Sequence, residues 1–421
     1  MWPGDGGEPV SRSFERAAAS LSEFPRQFWL LTAGILVYVV GVDMCFPFET
    51  LYLRDGLHLS MTVVGLMLGM AGLVGLPFQI VAGAFADRFG RRGVLMLAVC
   101  GSVVLYIGLA LSHNLLQVVI VVAIEAAFGW SMFLTASNAM VADLTSRSRR
   151  AEAFGIVRTA INASMVVGPL IALAFLGRRP DFRLLFAVGG AVCLAFLVVI
   201  VAALRETRPA AAKHSPIVAG YGHIVRDRRF LAFCAVALLP LYGFGQIVSN
   251  FPVAMQDTHG ISAAQWARLV LVYALGLSVL QFPVVRVTRA SNPLLLLSGA
   301  SALIGLGLGL SPLLPWGWPS VVLVLLVGLG VVVLIPIAST VVAALAPVEL
   351  RGRYMGAWTI VYLGGYAMDA LGARQAFLVV GAAALLGALC FPLLGRGRAF
   401  AEPLGGGALR GAAPDTSLRT R

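Results

Sequence analysis

Residues 83–92 read Gly-Ala-Phe-Ala-Asp-Arg-Phe-Gly-Arg-Arg, a short stretch rich in glycine and charge between two long apolar runs. Glycine permits a tight turn and the close approach of neighbouring helices. The aspartate and the arginines can form charge-assisted pairs. Because each flanking run is about 20 apolar residues long, the pattern predicts two membrane-crossing helices joined by a tight connection at the membrane surface.

The composition of the whole chain agrees with this interpretation. Its 421 residues are 59% hydrophobic and 12% charged, with a mean hydropathy of +0.90, whereas soluble domains are roughly 45–50% apolar and about 25% charged. A soluble fold is therefore excluded. The first 25 residues are polar and lack the basic-then-apolar layout of a cleaved signal peptide, so we expect the first apolar run to be retained.

Twelve segments are long enough to cross a bilayer as helices, in which every backbone donor and acceptor is satisfied internally. The sequence thus predicts an all-α integral membrane protein with twelve transmembrane helices. These spans, numbered 1 to 12, are predicted at 28–52, 61–84, 93–111, 115–141, 153–176, 182–204, 230–255, 264–286, 293–311, 319–346, 354–372 and 375–395.

The distribution of basic residues predicts the orientation. With both termini in the cytoplasm, 24 of the 31 Lys and Arg residues lie inside and six lie outside, which is the bias that the positive-inside rule requires. We therefore expect a multi-pass protein of the plasma (inner) membrane with both termini cytoplasmic. The net charge of +12 comes from these same Lys and Arg residues in the short segments between spans, so a nucleic-acid partner is not expected.

The longest basic connection, residues 205–229, divides the twelve spans into six and six. The predicted organisation is a cytoplasmic tail (1–27), a first six-helix bundle (28–204), this linker, a second six-helix bundle (230–395) and a second cytoplasmic tail (396–421). Two linked bundles are the layout of transporters built from repeats, whose substrate site lies near the midplane between the halves.

The stretch at 83–92 closely resembles the signature loop of the major facilitator superfamily. The segments 149–155 and 351–356 are also similar to that family, and the resemblance extends over roughly 28–395. It implies the two-bundle major facilitator fold, most similar to the twelve-helix drug:proton antiporters, with the signature loop at a cytoplasmic gate. By resemblance, Asp87 would cap span 11 and the loop arginines would meet Asp143. The implied gate residues are Gly83, Asp87, Arg88, Gly90, Arg91, Arg92 and Asp143.

Span 5 resembles the antiporter motif of the same family. Gly155, Ser164, Gly168 and Pro169 follow its spacing, with serine at one of the usual glycine positions. Small residues allow close helix packing, and a Gly-Pro pair is a site at which a helix can kink. The motif implies export. Ordinary membrane-helix packing is the alternative.

Two acidic residues inside spans are the candidate proton-coupling groups. Asp43 in span 1 and Glu125 in span 4 lie at similar predicted depth, and Glu125 occupies a position at which many relatives carry arginine. Ionisable groups within a membrane are costly and are functional candidates by default. A carboxylate that takes up a proton on one side and releases it on the other could exchange that proton for a cationic substrate. The alternative is hydrogen bonding that only supports helix packing.

The other charges within spans have more structural explanations. We expect Glu49 and Asp369, near the outer ends of spans 1 and 11, to pair with Arg54 and Arg374. Arg158 in span 5 is expected to reach the membrane surface or to pair with an acidic group at the gate. If it faced the cavity instead, it would favour anionic substrates.

Several polar side chains inside spans are candidates for substrate contact, although such groups also bind helices to one another. The substrate-cavity candidates are Tyr38, Asn138, Arg158, Asn162, Gln246, Asn250 and Gln281.

The predicted function is secondary active transport, most simply proton-coupled efflux of small amphipathic or drug-like compounds by a monomer. The expected partners are the substrate, protons and the lipid bilayer. No nucleotide-binding GxxxxGK[ST] run or metal-site pattern is found, so no cofactor, metal or enzymatic activity is expected. A symporter or exporter of a defined metabolite or organic anion is the first alternative, and a non-transporting membrane receptor or scaffold is the second.

Overall fold

The computed structural model describes residues 23–146, 149–177, 180–207, 221–249, 251–288, 291–347, 354–355, 357–358, 361 and 373–396. Throughout these ranges the regular structure is helical, which confirms the predicted fold class. Ten of the described helices are long and apolar enough to cross a membrane, and the helix Pro293–Gly309 is apolar but shorter. Most of predicted span 11 lies outside the described residues.

The helices follow the predicted spans closely. Spans 1 to 6 correspond to helices Arg26–Cys45, Met61–Phe89, Arg91–Leu111, Leu115–Phe128 with Trp130–Leu144, Arg150–Ala172 and Phe182–Ala202. The remaining described spans, 7 to 10 and 12, correspond to Arg228–Ser249 with Phe251–His259, Ala263–Thr288, Pro293–Gly309, Trp318–Leu345 and Ala373–Arg396.

Local sequence explains where several helices begin. The side chains of Ser60, Asn114, Asp181 and Asn292 each accept a hydrogen bond from a backbone N–H in the first turn of the helix that follows. These N-caps satisfy donors that a helix leaves open at its start. Gly90 separates spans 2 and 3 with φ of 89°, a left-handed conformation that favours glycine.

Two spans are irregular in the middle. After Cys45, span 1 continues through a 3₁₀ turn at Phe46–Phe48 and a π-helical turn at Tyr52–Gly56. Span 4 breaks at Gly129, which leaves two helices end to end. Breaks of this kind leave backbone groups that other atoms must satisfy, and both lie beside the acidic residues considered below.

Spans 1 to 6 pack mainly on one another, with span 1 against spans 5 and 6 and span 3 against spans 4 and 6. In the second set, span 9 packs against spans 10 and 12, and span 7 against span 12. Among the described helices, the main contact between the two sets is that of span 5 with span 8. We call the end of the molecule at Arg26, Phe89 and Leu144 the near face, and the end at Gly56 and Leu111 the far face.

Spans 1 and 5 approach closely at Gly168. A Cβ atom on this glycine would lie 2.7 Å from the backbone of Asp43 and Met44. No L-residue other than glycine fits at that separation without moving a helix. The contact holds Asp43 against span 5.

We expect Gly168→Ala to destabilise the fold by about 1–3 kcal/mol, because the added methyl group meets rigid backbone. Thermal unfolding in detergent would measure the loss. Gly155→Ala is the matched control in the same helix, since a Cβ there has no neighbour within 4 Å. Equal stability of the two variants would contradict the prediction.

Candidate functional site

Asp43 lies at the contact between spans 1 and 5. Its Oδ2 accepts a hydrogen bond of 2.8 Å from Oγ of Ser164, which is fully buried. Ser164 and Gly168, one helical turn apart, thus form the face of span 5 that packs on span 1. Within the described part of the chain, no basic side chain pairs with this half-buried carboxylate.

Glu125 lies beside the break in span 4. Its Oε1 accepts a hydrogen bond of 3.2 Å from the backbone N–H of Trp130, the first residue of the second helix. A negative charge at a helix N-terminus is favourable. A Cβ on Gly129 would overlap the same carboxylate, so the glycine provides the space for the carboxylate. Glu125 is therefore also the cap of a half-helix, a role that the sequence did not indicate.

The expected outer salt bridge of Glu49 with Arg54 is wrong. Arg54 pairs with Asp55 and Asp257, whereas Oε1 of Glu49 is buried and has no hydrogen-bond partner among the described residues. The irregular turn at 46–48 rotates the chain that follows, which a regular helical projection does not anticipate. The corresponding pair predicted for Asp369 and Arg374 lies outside the described side chains.

A second face of span 5 points toward the other set of spans. Nδ2 of Asn162 donates a hydrogen bond of 2.9 Å to Oε1 of Gln281 in span 8. Arg158 precedes Asn162 by one turn and is exposed, as is Gly155. Residues four apart share a helix face, so Arg158 lies on the side of span 5 that faces span 8. Among the ion pairs of the described residues, none involves Arg158.

The remaining candidates for substrate contact divide into exposed and buried residues. Asn138 in span 4 is exposed. Tyr38 is fully buried, hydrogen-bonded to Ser102 at 2.8 Å and packed on Phe133, so it lies in the core of the first six spans. Gln246 is also fully buried. Asn250 lies outside the described residues.

The near face holds a cluster of polar contacts around residues 90–92. Nε of Arg91 lies 2.9 Å from Oδ2 of Asp143, the pairing expected of a loop arginine. The carboxylate of Glu206 accepts hydrogen bonds of 2.9 and 3.1 Å from the backbone N–H groups of Arg91 and Arg92. A Cβ on Gly90 would overlap this carboxylate. Together these contacts hold the start of the linker against the loop.

Two further contacts complete this cluster. Arg92 donates to the carbonyl oxygens of Ile200 and Val201 at the end of span 6, at 3.1 and 2.8 Å. Thr207 donates to Asp143 at 3.1 Å.

Gly83, Ala84 and Asp87 lie outside the residues whose side chains the structure describes. The expected cap of span 11 by Asp87 therefore stays a prediction. Arg88 is exposed at the end of span 2.

The far face is tied together across the two sets of spans. Arg54 at the end of span 1 forms an ion pair with Asp257 at the far end of span 7, and Asp55 accepts a hydrogen bond of 2.9 Å from Gln256. Nε1 of Trp266 in span 8 donates to the carbonyl oxygen of Pro47 at 3.0 Å. These contacts close the two sets onto each other at this face.

A surface cavity of about 880 Å³ lies beside these far-face contacts. Its lining includes Asp55, Gln256, Phe182 and Arg268. In the part of the chain that the structure describes, no three His, Cys, Asp or Glu side chains come together as a metal site requires.

The comparisons with known proteins agree with this architecture. The family model described as Major Facilitator Superfamily matches residues 31–365. The chain therefore belongs to the major facilitator superfamily of membrane transporters.

Relatives within the family are distant. The chain is 23% identical over 377 residues to the uncharacterized MFS-type transporter YqjV of Bacillus subtilis, covering 88% of this chain and 87% of that protein. It is 27% identical over 342 residues to the multidrug resistance protein MdtH of Klebsiella pneumoniae, covering 78% and 81%. A similar match, 28% over 346 residues, is found with MdtH of Cronobacter sakazakii.

Solved structures show the same fold. The peptide transporter POT in complex with sulfate superposes with a TM-score of 0.70 at 18% identity, covering 88% of this chain and 95% of that one. A D-xylose–proton symporter gives a TM-score of 0.65 at 16% identity, covering 86% and 96%.

Asp257→Ala is expected to let the two sets of spans separate at the far face more often. The ion pair with Arg54 is partly exposed, so it contributes no more than about 1 kcal/mol, and the open population should rise by about two- to fivefold. Spin labels at Leu115 and Leu314, in a background without the five native cysteines, would report the distance distribution. Glu23→Ala is the control, because it removes an ion pair with Arg149 at the near face. An unchanged distribution in Asp257→Ala would contradict the prediction.

Glu206→Ala should destabilise the protein by about 0.5–2 kcal/mol, because two N–H groups at the start of span 3 lose their acceptor. Denaturant unfolding of the detergent-solubilised protein would measure this. Glu152→Ala removes an exposed carboxylate paired with Arg149 and should cost about 0–1 kcal/mol. If the free energy of unfolding fell less in Glu206→Ala than in Glu152→Ala, the capping role of Glu206 would be refuted.

Proposed function

We propose that this transporter exports small amphipathic or drug-like compounds in exchange for protons, by alternating access, as a monomer in the plasma (inner) membrane. In this proposal the near face is cytoplasmic and both termini lie in the cytoplasm. The basic residues concentrated at the near-face connections support this orientation.

The observation that carries the proposal is the contact of Asp43 with Ser164. It places a carboxylate of span 1 on the antiporter-like motif of span 5, at a point where Gly168 leaves no space between the helices. An ionised carboxylate accepts two or more hydrogen bonds, whereas a protonated one can also donate. Proton uptake at Asp43 therefore changes how span 1 is bound to span 5.

The far-face contacts support the alternating part of the mechanism. The two sets of spans are tied at Arg54–Asp257 and Asp55–Gln256, and the proposal assigns this conformation to the state that is open toward the cytoplasm. Outward opening requires breaking these contacts. The near-face contacts of Arg91, Arg92, Asp143 and Glu206 keep spans 3, 4 and 6 together as one body during that motion.

Exchange requires that substrate and proton compete. Asp43 and Glu125 attract a lipophilic cation only while they are ionised, so each proton taken up from outside releases a substrate cation there. The relatives named multidrug resistance proteins support a broad substrate range.

A second candidate is transport of a defined metabolite or organic anion. Arg158 favours it, because this exposed cation lies on the face of span 5 that turns toward span 8. A guanidinium binds carboxylate and phosphate groups well. The structural likeness to peptide and sugar transporters fits this candidate equally.

Transport into proteoliposomes under an imposed pH gradient tests the two candidates. The parent protein should accumulate ethidium, and both Asp43→Asn and Glu125→Gln should reduce gradient-driven uptake at least tenfold because a proton-binding group is removed. Glu23→Gln, which neutralises an exposed carboxylate, should behave as the parent does.

The outcomes separate the hypotheses. If both carboxylate variants keep full gradient-driven exchange, the proton sites are wrongly assigned. If the parent moves carboxyfluorescein rather than ethidium, and Arg158→Gln abolishes that movement, the anion transporter is the correct function.

A further inference from the structure

The surface cavity at the far face has no part in the proposed mechanism, and Asp43 does not line it. Its volume of about 880 Å³ falls within the range of small-molecule sites, roughly 300–1,000 Å³. The first set of spans contributes Asp55 and Phe182 to the lining, and the second set contributes Gln256 and Arg268. A molecule bound in this cavity would therefore touch both sets of spans.

The described lining carries one charge of each sign, on Asp55 and on Arg268. Both side chains are exposed to solvent. The ion pairs of the described residues include none between these two, and none that involves Arg268 with any other group. The cavity thus presents a positive and a negative group that do not neutralise each other by direct contact.

Asp55 can accept a further hydrogen bond. Its Oδ2 accepts from Nε2 of Gln256 at 2.9 Å, and its Oδ1 lies 3.8 Å from Nε of Arg54. A carboxylate has about four lone-pair sites, so these contacts leave it unsaturated. Arg54 also forms an ion pair with Asp257, so a single guanidinium faces two carboxylates. A ligand ammonium group would complete the balance of charge at this end of the cavity.

The rest of the lining suits a carboxylate with an apolar body. A guanidinium such as that of Arg268 matches a carboxylate in both charge and shape. Phe182, Ala263 and Ala264 add apolar surface to the lining. The ring of Phe182 is held in place against Tyr52, with the ring centroids 6.0 Å apart.

The two charges select among classes of ligand. A simple anion that approached Arg268 would be repelled by Asp55, and a simple cation that approached Asp55 would be repelled by Arg268. A zwitterion satisfies both groups at once, which is the electrostatic complementarity that gives a site its specificity.

We infer that the far-face cavity binds a small zwitterion with an apolar body, an aromatic amino acid in its simplest form, whose carboxylate pairs with Arg268 and whose ammonium group pairs with Asp55. The occupied site bridges the two sets of spans, so the ligand favours the conformation in which the far face is closed. This site is separate from the proposed proton-coupling residues and does not rest on the proposed function.

Fluorine NMR of the protein in phosphatidylcholine nanodiscs tests the site with three matched probes. The zwitterion is para-fluoro-L-phenylalanine. Its analogue para-fluorohydrocinnamate lacks the ammonium group, and para-fluorophenethylamine lacks the carboxylate. The parent protein should bind the amino acid about tenfold more tightly than either analogue, because each analogue loses one charged hydrogen-bonding group. Empty nanodiscs correct for partitioning into lipid.

Two charge variants assign the ends of the ligand. Arg268→Gln should weaken binding of the amino acid about tenfold and should leave the affinity for the amine no lower. Asp55→Asn should weaken binding of the amino acid by a similar factor and should spare the acid. Arg183→Gln is the matched control, because it removes a far-face cation that contacts Ser112 and His113 and does not line the cavity.

An uncharged variant locates the site independently of these charges. Ala264→Leu fills part of the cavity and should weaken binding of the amino acid without altering the preference between the two analogues. Each variant is informative alone, so failure of one of them to fold leaves the proposal testable.

The effect on conformation is measured with spin labels at Leu115 and Leu314 in the background without native cysteines. At about ten times its Kd, the amino acid should lower the population with an open far face about tenfold, because it binds the closed face.

Three results would overturn the inference. The first is a parent protein that does not distinguish the amino acid from its two analogues. The second is an Arg268→Gln variant that binds all three probes as Arg183→Gln does. The third is a spin-label distance distribution that the amino acid leaves unchanged.

Discussion

The structure depends on how two carboxyl groups inside an apolar bundle, those of Asp43 and Glu125, each meet a hydrogen-bond donor from a neighbouring segment. Asp43 is met by Ser164 of span 5, and Glu125 by the N–H of Trp130 beyond a helix break. Each solution requires a glycine to make room, Gly168 in the first case and Gly129 in the second. These glycines and carboxyl groups are thus parts of the same contacts, so in the proposed mechanism a change in protonation acts directly on helix packing.

The two faces of the molecule differ in how they use charge. At the near face, the contacts around Arg91, Asp143 and Glu206 lie within the first six spans and their adjoining linker, so they strengthen one body. At the far face, the contacts of Arg54 and Asp55 with the far end of span 7 join the two sets of spans. Contacts of the second kind must break when the far face opens, and their partial exposure to water keeps the cost of breaking them low.

Span 5 connects these two regions through opposite faces of a single helix. Ser164 and Gly168 fix one face to span 1, while Arg158 and Asn162 lie on the face directed toward span 8. A rearrangement at Asp43 therefore reaches the interface between the two sets through a rigid element. The two proposed substrate classes correspond to these two regions, since Asp43 of span 1 lies against the first face and Arg158 lies on the second.

The sequence alone determined the all-helical membrane fold, the approximate bounds of the spans and the family, because these follow from the length of apolar runs and from the local signature at 83–92. It also indicated the pairing of a loop arginine with Asp143. The tertiary structure alone decided the partners of isolated charges. Glu49 turns inward because span 1 is irregular after Cys45, Glu206 caps a helix far from it in sequence, and Arg54 pairs with Asp257 across the interface between the sets. The contacts of Glu206 and Arg54 join residues 114 to 203 positions apart, whereas helical periodicity describes only the direction of a side chain around its own helix.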